Sequence, residues 1–438
     1  MLRFPLPTAQ TMQSFARVRD VETCAVGYVF PTGQRYVVRD FEEVPEGAYA
    51  LRTPTAATLR PEFCVDIANR ARAAGAGVLL AHTHPGPSAL EGFSCIDDAG
   101  EQALAAYFQR RLPSAAHFAS VFTTAGIHAR KLGQHERTHV VGVGPVVIEA
   151  NKEINSKFPL YDRQVRAFGV EGQRTLQSID VAIIGLGGTG SIVAQQLAHL
   201  GVRTFVLVDP DTVEDTNLNR LVGATIIDVG SSKVDVAARN IEATNPTATC
   251  TRVVGDVVDE DVAARLANVD FIFACTDSMA SRAVLNQLAY QYLIPCIDVG
   301  VGIGVLDGKI QYITGRTQML SPGLPCLVCT DKLDAEQVRS EMMSPEQRAR
   351  DPYIVGAHVA QPAVISLNST MSSVAITMFL ASVTGLPSGA RMVIYDGIRG
   401  SLRPAVMEPR ANCIACSSAG ALARGTAWTL PVRQKERS

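Results

Sequence analysis

Residues 181–209 read VAIIGLGGTGSIVAQQLAHLGVRTFVLVD, and this stretch decides the fold. Four apolar residues, Val181, Ala182, Ile183 and Ile184, suit a buried parallel strand. Gly185, Gly187 and Gly190 then form a GxGxxG turn into a helix. Side chains there would hold the backbone away from a phosphate, and the helix N-terminus behind the turn offers free N–H groups and a positive dipole end. A second strand ends at Asp209, nineteen residues beyond Gly190, the spacing at which a carboxylate meets a ribose hydroxyl. The pattern predicts a doubly wound α/β sheet that binds a nucleotide.

A lone GxGxxG most often marks an NAD enzyme, and the residues beyond Asp209 argue for a different ligand. Asn217, Asn219 and Arg220 in DTNLNR, Lys233 in GSSK and Asp277 in ACTDS fall near the carboxyl ends of successive strands, the ligand-binding edge of such a sheet. A nicotinamide pocket needs few cations, whereas Arg, Lys and an added Asp suit a triphosphate with its Mg²⁺. ATP is the expected cofactor. Taken singly, Arg220 or Lys233 would read as a surface charge and Asp277 as a helix N-cap.

With 438 residues the chain can hold two or three cores. A hydrophobic fraction of 47% and a net charge of -2 describe an ordinary globular protein and give no basic surplus for nucleic acid. The apolar stretch at residues 374–383 is interrupted by Thr377 and Ser382 and reads as a core helix, so no membrane segment is expected. No apolar leader with a cleavage site opens the sequence, and ten cysteines, four of them in two CxxC pairs, suit thiols and a metal in a reducing cytoplasm. A cytoplasmic enzyme is expected.

Nearer the N-terminus, residues 22–28 and 34–38 read as paired strands about Pro31-Thr32-Gly33, and residues 60–74 as a helix. The apolar strand at 77–81 ends in His82-Thr83-His84-Pro85; histidines at i and i+2 of an extended segment point to one side and can reach one ion. Ser94 and Asp97, in FSCIDDAG, open the next helix. These residues resemble the Glu, HxHP, SxxD pattern of the JAB/JAMM (MPN) metalloproteases. The resemblance implies an α+β JAB/MPN domain over residues 1–150 with catalytic Zn²⁺ on His82, His84 and Asp97, Glu22 as general base, and Ser94 as oxyanion donor. Twelve residues separate His84 from Asp97, two more than the family's usual ten, and Asp98 is the alternative ligand.

Character changes after residue 134, and the boundary is placed near Ala150, with residues 151–438 forming the second domain. Its opening, YDRQVRAFGVEGQRTL at 161–176, resembles the lead-in of the ThiF/MoeB and ubiquitin-activating adenylyltransferases, whose RQ arginine reaches the ATP of a partner subunit. That residue here is Arg163, and a homodimer is expected. The same resemblance assigns Gly185, Gly187 and Gly190 to the phosphate turn and Asp209 to the ribose. Asn217 and Arg220 go to the phosphates, Lys233 to the α-phosphate and Asp277 to Mg²⁺. The catalytic set is therefore Glu22, Ser94, Arg163, Arg220, Lys233 and Asp277.

Cys326 and Cys329 in PCLVC, with Cys413 and Cys416 in NCIAC, supply the four thiolates of a structural zinc site. A thioester cysteine, which many relatives carry after the first CxxC, has no counterpart between Thr330 and Asn412. Cys275 and Cys296 lie in apolar strands and read as core thiols. The acyl group is therefore expected to pass to an acceptor outside this domain, such as a ubiquitin-conjugating-type carrier enzyme. His358 is the lone histidine of the segment where the family has its crossover loop.

Together the two halves imply adenylation of the C-terminal glycine of a ubiquitin-like protein, with a zinc isopeptidase that trims or deconjugates it. Such fusions resemble bacterial ubiquitin-like conjugation systems, some in antiviral islands. Two other readings are a sulfur-carrier activating enzyme that makes a thiocarboxylate, and an adenylating enzyme whose JAB half is a metal-free docking module.

Overall fold

The computed structural model describes residues 1–86, 92–124, 126–150, 159–343 and 362–433. Two compact units emerge. The first comprises Met1–Glu153 with Gln291–Leu293 and Ser418–Thr429, and the second Ile154–Tyr290, Ile294–Ser417 and Leu430–Ser438.

In the first unit, nine strands among the described residues form a mixed sheet. Its centre is Cys24–Thr32, flanked by Arg35–Glu43 and Gly77–Thr83, both antiparallel to it. Gly33, at φ +59°, makes the turn between the first two, a conformation that costs glycine nothing. Phe118–Phe122 runs parallel beside Gly77–Thr83. Apolar side chains of both faces are covered: Phe4, Val29 and Phe122 cluster with Met12 of helix Leu6–Val18, and Val26 with Ile67 and Ala71 of helix Pro61–Ala74 and Phe108 of helix Cys95–Arg111. Rings of Phe4 and Phe122 meet edge to face at 6.0 Å.

The second unit is built on eight strands among the described residues. Thr249–Val253, Thr204–Val208, Asp180–Ile184, Phe271–Ala274 and Cys296–Leu306 lie side by side in parallel. Lys309–Leu320, Met392–Asp396 and Ser401–Pro404 continue the sheet antiparallel. Asp180–Ile184 comes first in the chain yet lies at the middle of the parallel set, so connections leave it in both directions and open a crevice at its carboxyl end. Val181, Ile183, Phe205, Leu207, Phe271 and Phe273 are fully buried. The apolar helix near the C-terminus is longer than its apolar stretch predicts, beginning at Ile365 and ending at Val383. Its length and composition would suffice to cross a membrane, and 56% of its apolar window is buried, with Phe379 against Phe271 at 4.8 Å between ring centroids.

Candidate functional site

In the first unit, strand pairing sets Cys24 opposite His82, which brings Glu22 alongside the HTHP segment. Thr83 Oγ1 accepts from the Thr23 amide at 3.0 Å and the Thr83 amide donates to the Thr23 carbonyl at 3.0 Å, locking this register just beside the histidines. His82 Nε2 and His84 Nε2 face one another at 3.2 Å, and Asp97 Oδ1 and Oδ2 stand 3.0 and 3.4 Å from them. Ligands at about 2.05 Å around a tetrahedral zinc are separated by about 3.3 Å, so the three side chains already have the spacing of a shared ion. Glu22 Oε1 is 3.9 Å from His84 Nε2, buried to 5% exposure, and its carboxylate groups with the two histidine nitrogens within 4.8 Å of one another. Burial lifts its carboxyl above the usual range against the pull of His82 and His84. Asp97 behaves oppositely: burial raises it, but hydrogen bonds from both histidines outweigh that and hold it well below the ordinary carboxylate range.

Asp97 is aimed by a capping box. Ser94 N and Oγ donate to Asp97 Oδ2 at 2.6 and 2.8 Å, and the Asp97 amide donates back to Ser94 Oγ at 3.2 Å. The Ser94 hydroxyl, expected as an oxyanion donor, thus orients a candidate ligand. Asp98 turns to Arg130, 2.7 Å away, with His135 Nδ1 at 3.8 Å, and pairs with neither His82 nor His84 among the described residues. Arg130 also holds Glu101 at 2.8 Å and so fastens the first turns of the helix to strand Ile127–Lys131. No sequence motif marks this arginine, since its partners stand 32 and 29 residues away in the chain.

In the second unit, Gly185 adopts φ +86°, and a Cβ on Gly190 would lie 1.8 Å from the Gly185 carbonyl oxygen. A Cβ on Gly187 would meet nothing within 4 Å, so the turn is open on the side from which a phosphate would approach. Asp209 is buried, with Oδ2 accepting from the Leu186 amide at 2.5 Å and Oδ1 from the Asp211 amide at 2.9 Å. Its carboxyl is raised by burial, with the Leu186 bond and Lys233 opposing. Lys233 opens helix Lys233–Thr244 and pairs with Asp211 at 2.7 Å, a partner that two-residue proximity to Asp209 could have suggested. Asn217 is buried, Arg220 Nη1 donates to the Thr216 carbonyl at 2.6 Å, and the Arg220 side chain reaches the glycine turn, its Cδ 3.4 Å from where a Gly188 Cβ would stand.

Asp277 is exposed after strand Phe271–Ala274 and does not cap the following helix, Met279–Gln291. Ser278 and Glu341 do: Glu341 Oε2 accepts from Ser278 Oγ at 2.7 Å and from the Ala280 amide at 2.9 Å. The N-cap reading of Asp277 is thereby corrected, since a longer side chain from elsewhere in the chain takes those orphan donors. Arg163 is exposed on the first turn of helix Asp162–Ser178. His358 lies outside the described residues.

Cys326, Cys329, Cys413 and Cys416 are buried together, with sulfur separations of 3.4 Å for Cys326–Cys413 and Cys329–Cys416 and 3.7 Å for Cys326–Cys329. Four thiolates at about 2.3 Å from a tetrahedral zinc stand about 3.8 Å apart, so the donor set fits that ion. The four thiols share protons, Cys326 being lowered by its hydrogen bond with Cys416 and Cys416 raised by the same bond, and the Arg410 amide donates to Cys329 Sγ at 3.3 Å. Cys275 and Cys296 are core thiols, both pushed up by burial, Cys275 to about 12.

A model of the ThiF family matches residues 161–415. The molybdopterin-synthase adenylyltransferase of Escherichia coli (strain K12) is 30% identical over 258 residues, 58% of this chain and 95% of that protein. The sulfur carrier protein ThiS adenylyltransferase of the same strain is 27% identical over 267 residues, 60% of this chain and 97% of that protein. The SAMP-activating enzyme E1 of Haloferax volcanii is 33% identical over 161 residues, 37% of this chain and 56% of that protein. Among solved structures, E. coli MccB with MccA-N7isoASN superposes with a TM-score of 0.49 at 17% identity, covering 60% of this chain and 76% of that one. A glycine turn open to a phosphate, a buried acid at the end of the next strand, and a family match over more than half the residues agree: the chain belongs to the ThiF family of adenylyltransferases.

Proposed function

We propose that the second unit adenylates the C-terminal glycine of a ubiquitin-like or sulfur-carrier protein. The observation that carries this reading is the edge of the parallel sheet, where Asp209, the open turn at Gly187, Arg220, Lys233 and Asp277 occur in the order that adenosine, phosphates and metal would need. Related enzymes named for molybdopterin synthase, ThiS and SAMP support the substrate class. A carboxylate oxygen of the glycine attacks the α-phosphorus, the bond to the β-phosphate oxygen breaks, and pyrophosphate leaves with the electron pair and its charge. Arg220 and Lys233 are fixed cations for the charge that grows, and Asp277, exposed at this edge, would hold Mg²⁺, which would supply further positive charge to the phosphates. Arg163, exposed on its helix, suits an arginine supplied across a dimer. With no cysteine between Thr330 and Asn412, the acyl-adenylate passes to an external thiol, sulfur donor or amine. Intact-mass spectrometry of a Gly-Gly-ending protein incubated with the chain and ATP tests this: gain of one AMP supports it, and AMP-free protein across a panel of carriers counts against it.

The cluster of Glu22, His82, His84 and Asp97 favours a second activity, a JAMM-type zinc peptidase acting on the same tails and forming with the adenylation half one two-site enzyme. Zinc there would activate water and polarise the scissile carbonyl. Glu22, with its carboxyl raised by burial, accepts the proton from that water and hands it to the leaving amine, while Ser94 holds Asp97 in place. A metal-free docking module would not need three side chains at ligand spacing. Mass spectrometry of the same carriers with a C-terminal extension checks it, and an uncut extension in zinc-loaded protein would leave only docking.

A further inference from the structure

We propose that Arg282 and Arg316 form the subsite that receives the free carboxylate at the end of the carrier's tail; this rests on the adenylation reading of the same sheet edge. Asp298 on strand Cys296–Leu306 is fully buried and takes a bond from each guanidinium, Arg282 Nε to Oδ1 at 3.0 Å and Arg316 Nη2 to Oδ2 at 2.5 Å. Both arginine side chains are 12% exposed. Arg316 further donates to Gln318 Oε1 at 2.6 Å and Arg282 Nη2 to the Val299 carbonyl at 3.4 Å, whereas Arg282 Nη1 and Arg316 Nε make no hydrogen bond among the described residues. Two guanidiniums on one carboxylate leave a surplus positive charge in a shielded place. Such a charge is expensive without a partner, and a planar fork is the geometry that recognises a carboxylate.

Topology identifies the anion. Along the carboxyl edge, Asp209 ends one strand, the glycine turn leaves the next, Asp277 follows the third, and Asp298 with its arginines stands on the fourth. If adenosine sits at Asp209 and the phosphates at the turn, the arginines lie on the far side of the α-phosphate from the ribose. That is the side from which the attacking carboxylate must come. Strand Cys296–Leu306 also offers an approach. Asp298, Gly300 and Gly302 share a face by the two-residue period, while Val299 and Ile303 on the other face are buried. A Cβ at Gly300 would find nothing nearer than Arg282 Nη2 at 3.5 Å, and one at Gly302 nothing nearer than Thr314 at 3.7 Å. Gly304, next on this face, is covered by the Tyr312 ring, so the open stretch is Gly300 and Gly302, and a Gly-Gly tail laid there would end at the guanidiniums.

The test uses the full chain with a synthetic decapeptide ending in Gly-Gly, as the free acid and as the C-terminal amide, with binding read by isothermal titration and ATP affinity measured alongside. The acid binds about ten-fold or more tighter than the amide. Arg282→Met and Arg316→Met each abolish that preference with ATP affinity unchanged, and Arg316→Lys retains part of it. Equal binding of acid and amide by the unaltered chain overturns the inference, and that comparison stands even if a variant fails to fold. Variants that keep the preference but lose ATP affinity overturn it as well, since the pair would then serve the phosphates. A clear acid preference without any ATP–pyrophosphate exchange would instead sustain the carboxylate subsite and remove the adenylation reading.

Discussion

Asp97 shows how much rests on one rotamer. Two adjacent aspartates come after Ser94 in the sequence, and nothing in residue type says which one meets the histidines. The capping box turns Asp97 inward, and the ion pair with Arg130 draws Asp98 away. On the peptidase reading proposed above, Asp97→Ala removes one zinc per chain and the trimming activity together, whereas Asp98→Ala leaves both; elemental analysis of purified protein distinguishes the two. Glu22→Gln keeps the shape and both zinc ions but loses the base, so cleavage of an extended carrier falls by a factor of about 100 or more while AMP transfer stays intact. That His82, His84 and Asp97 come together was legible because a motif of particular side chains at short spacing marks them. Arg130, Glu341 and the pair on Asp298 were not, because their partners lie far away in the chain and only the folded sheet brings them together.

At the scale of elements, the glycine turn separates two jobs that the GxGxxG pattern merges. Gly190 is packing: its Cβ would strike the Gly185 carbonyl, a backbone atom that cannot swing aside, so Gly190→Ala destabilises at or above the upper end of the usual ~1–3 kcal/mol for overpacking. Gly187 is approach: with nothing within 4 Å and a negative φ of -74°, Gly187→Ala folds normally but weakens ATP binding. Thermal unfolding beside nucleotide titration checks both, and equal losses of stability in the two variants would contradict this division. The four inner parallel strands were legible from short apolar runs, whereas the edge strand Thr249–Val253, TCTRV, was not, because it is polar and largely exposed. The start of the Ile365–Val383 helix was not, because Ser366, Asn368, Ser369 and Thr370 make its first turns look polar; Asn368 instead lies buried against Gly188 of the nucleotide turn.

For the molecule as a whole, two sets of soft and borderline ligands predict two zinc ions per chain, one in each unit. Cys326→Ser should lower the count to one and reduce the melting temperature, since a thiolate site contributes its binding energy to folding. Asp97→Ala should lower the count to one with little change in melting temperature. The two CxxC pairs, whose four cysteines the fold gathers, were visible from local spacing. That residues 418–429, just beyond the second CxxC, are counted with the N-terminal unit was not, because that assignment depends on long-range packing such as the Gln291 side chain bonding the Gly425 carbonyl at 2.7 Å.

Activation of a C-terminal glycine by ATP at the parallel-sheet edge is read most directly by ATP–pyrophosphate exchange, which reports that step before any acceptor is involved. With a carrier ending in Gly-Gly, the chain should catalyse exchange that requires both the carrier and Mg²⁺ and that falls by about 100-fold or more in Asp277→Ala. Exchange with no member of a broad panel of such carriers, or exchange that proceeds as fast without one, would contradict glycine activation at this edge.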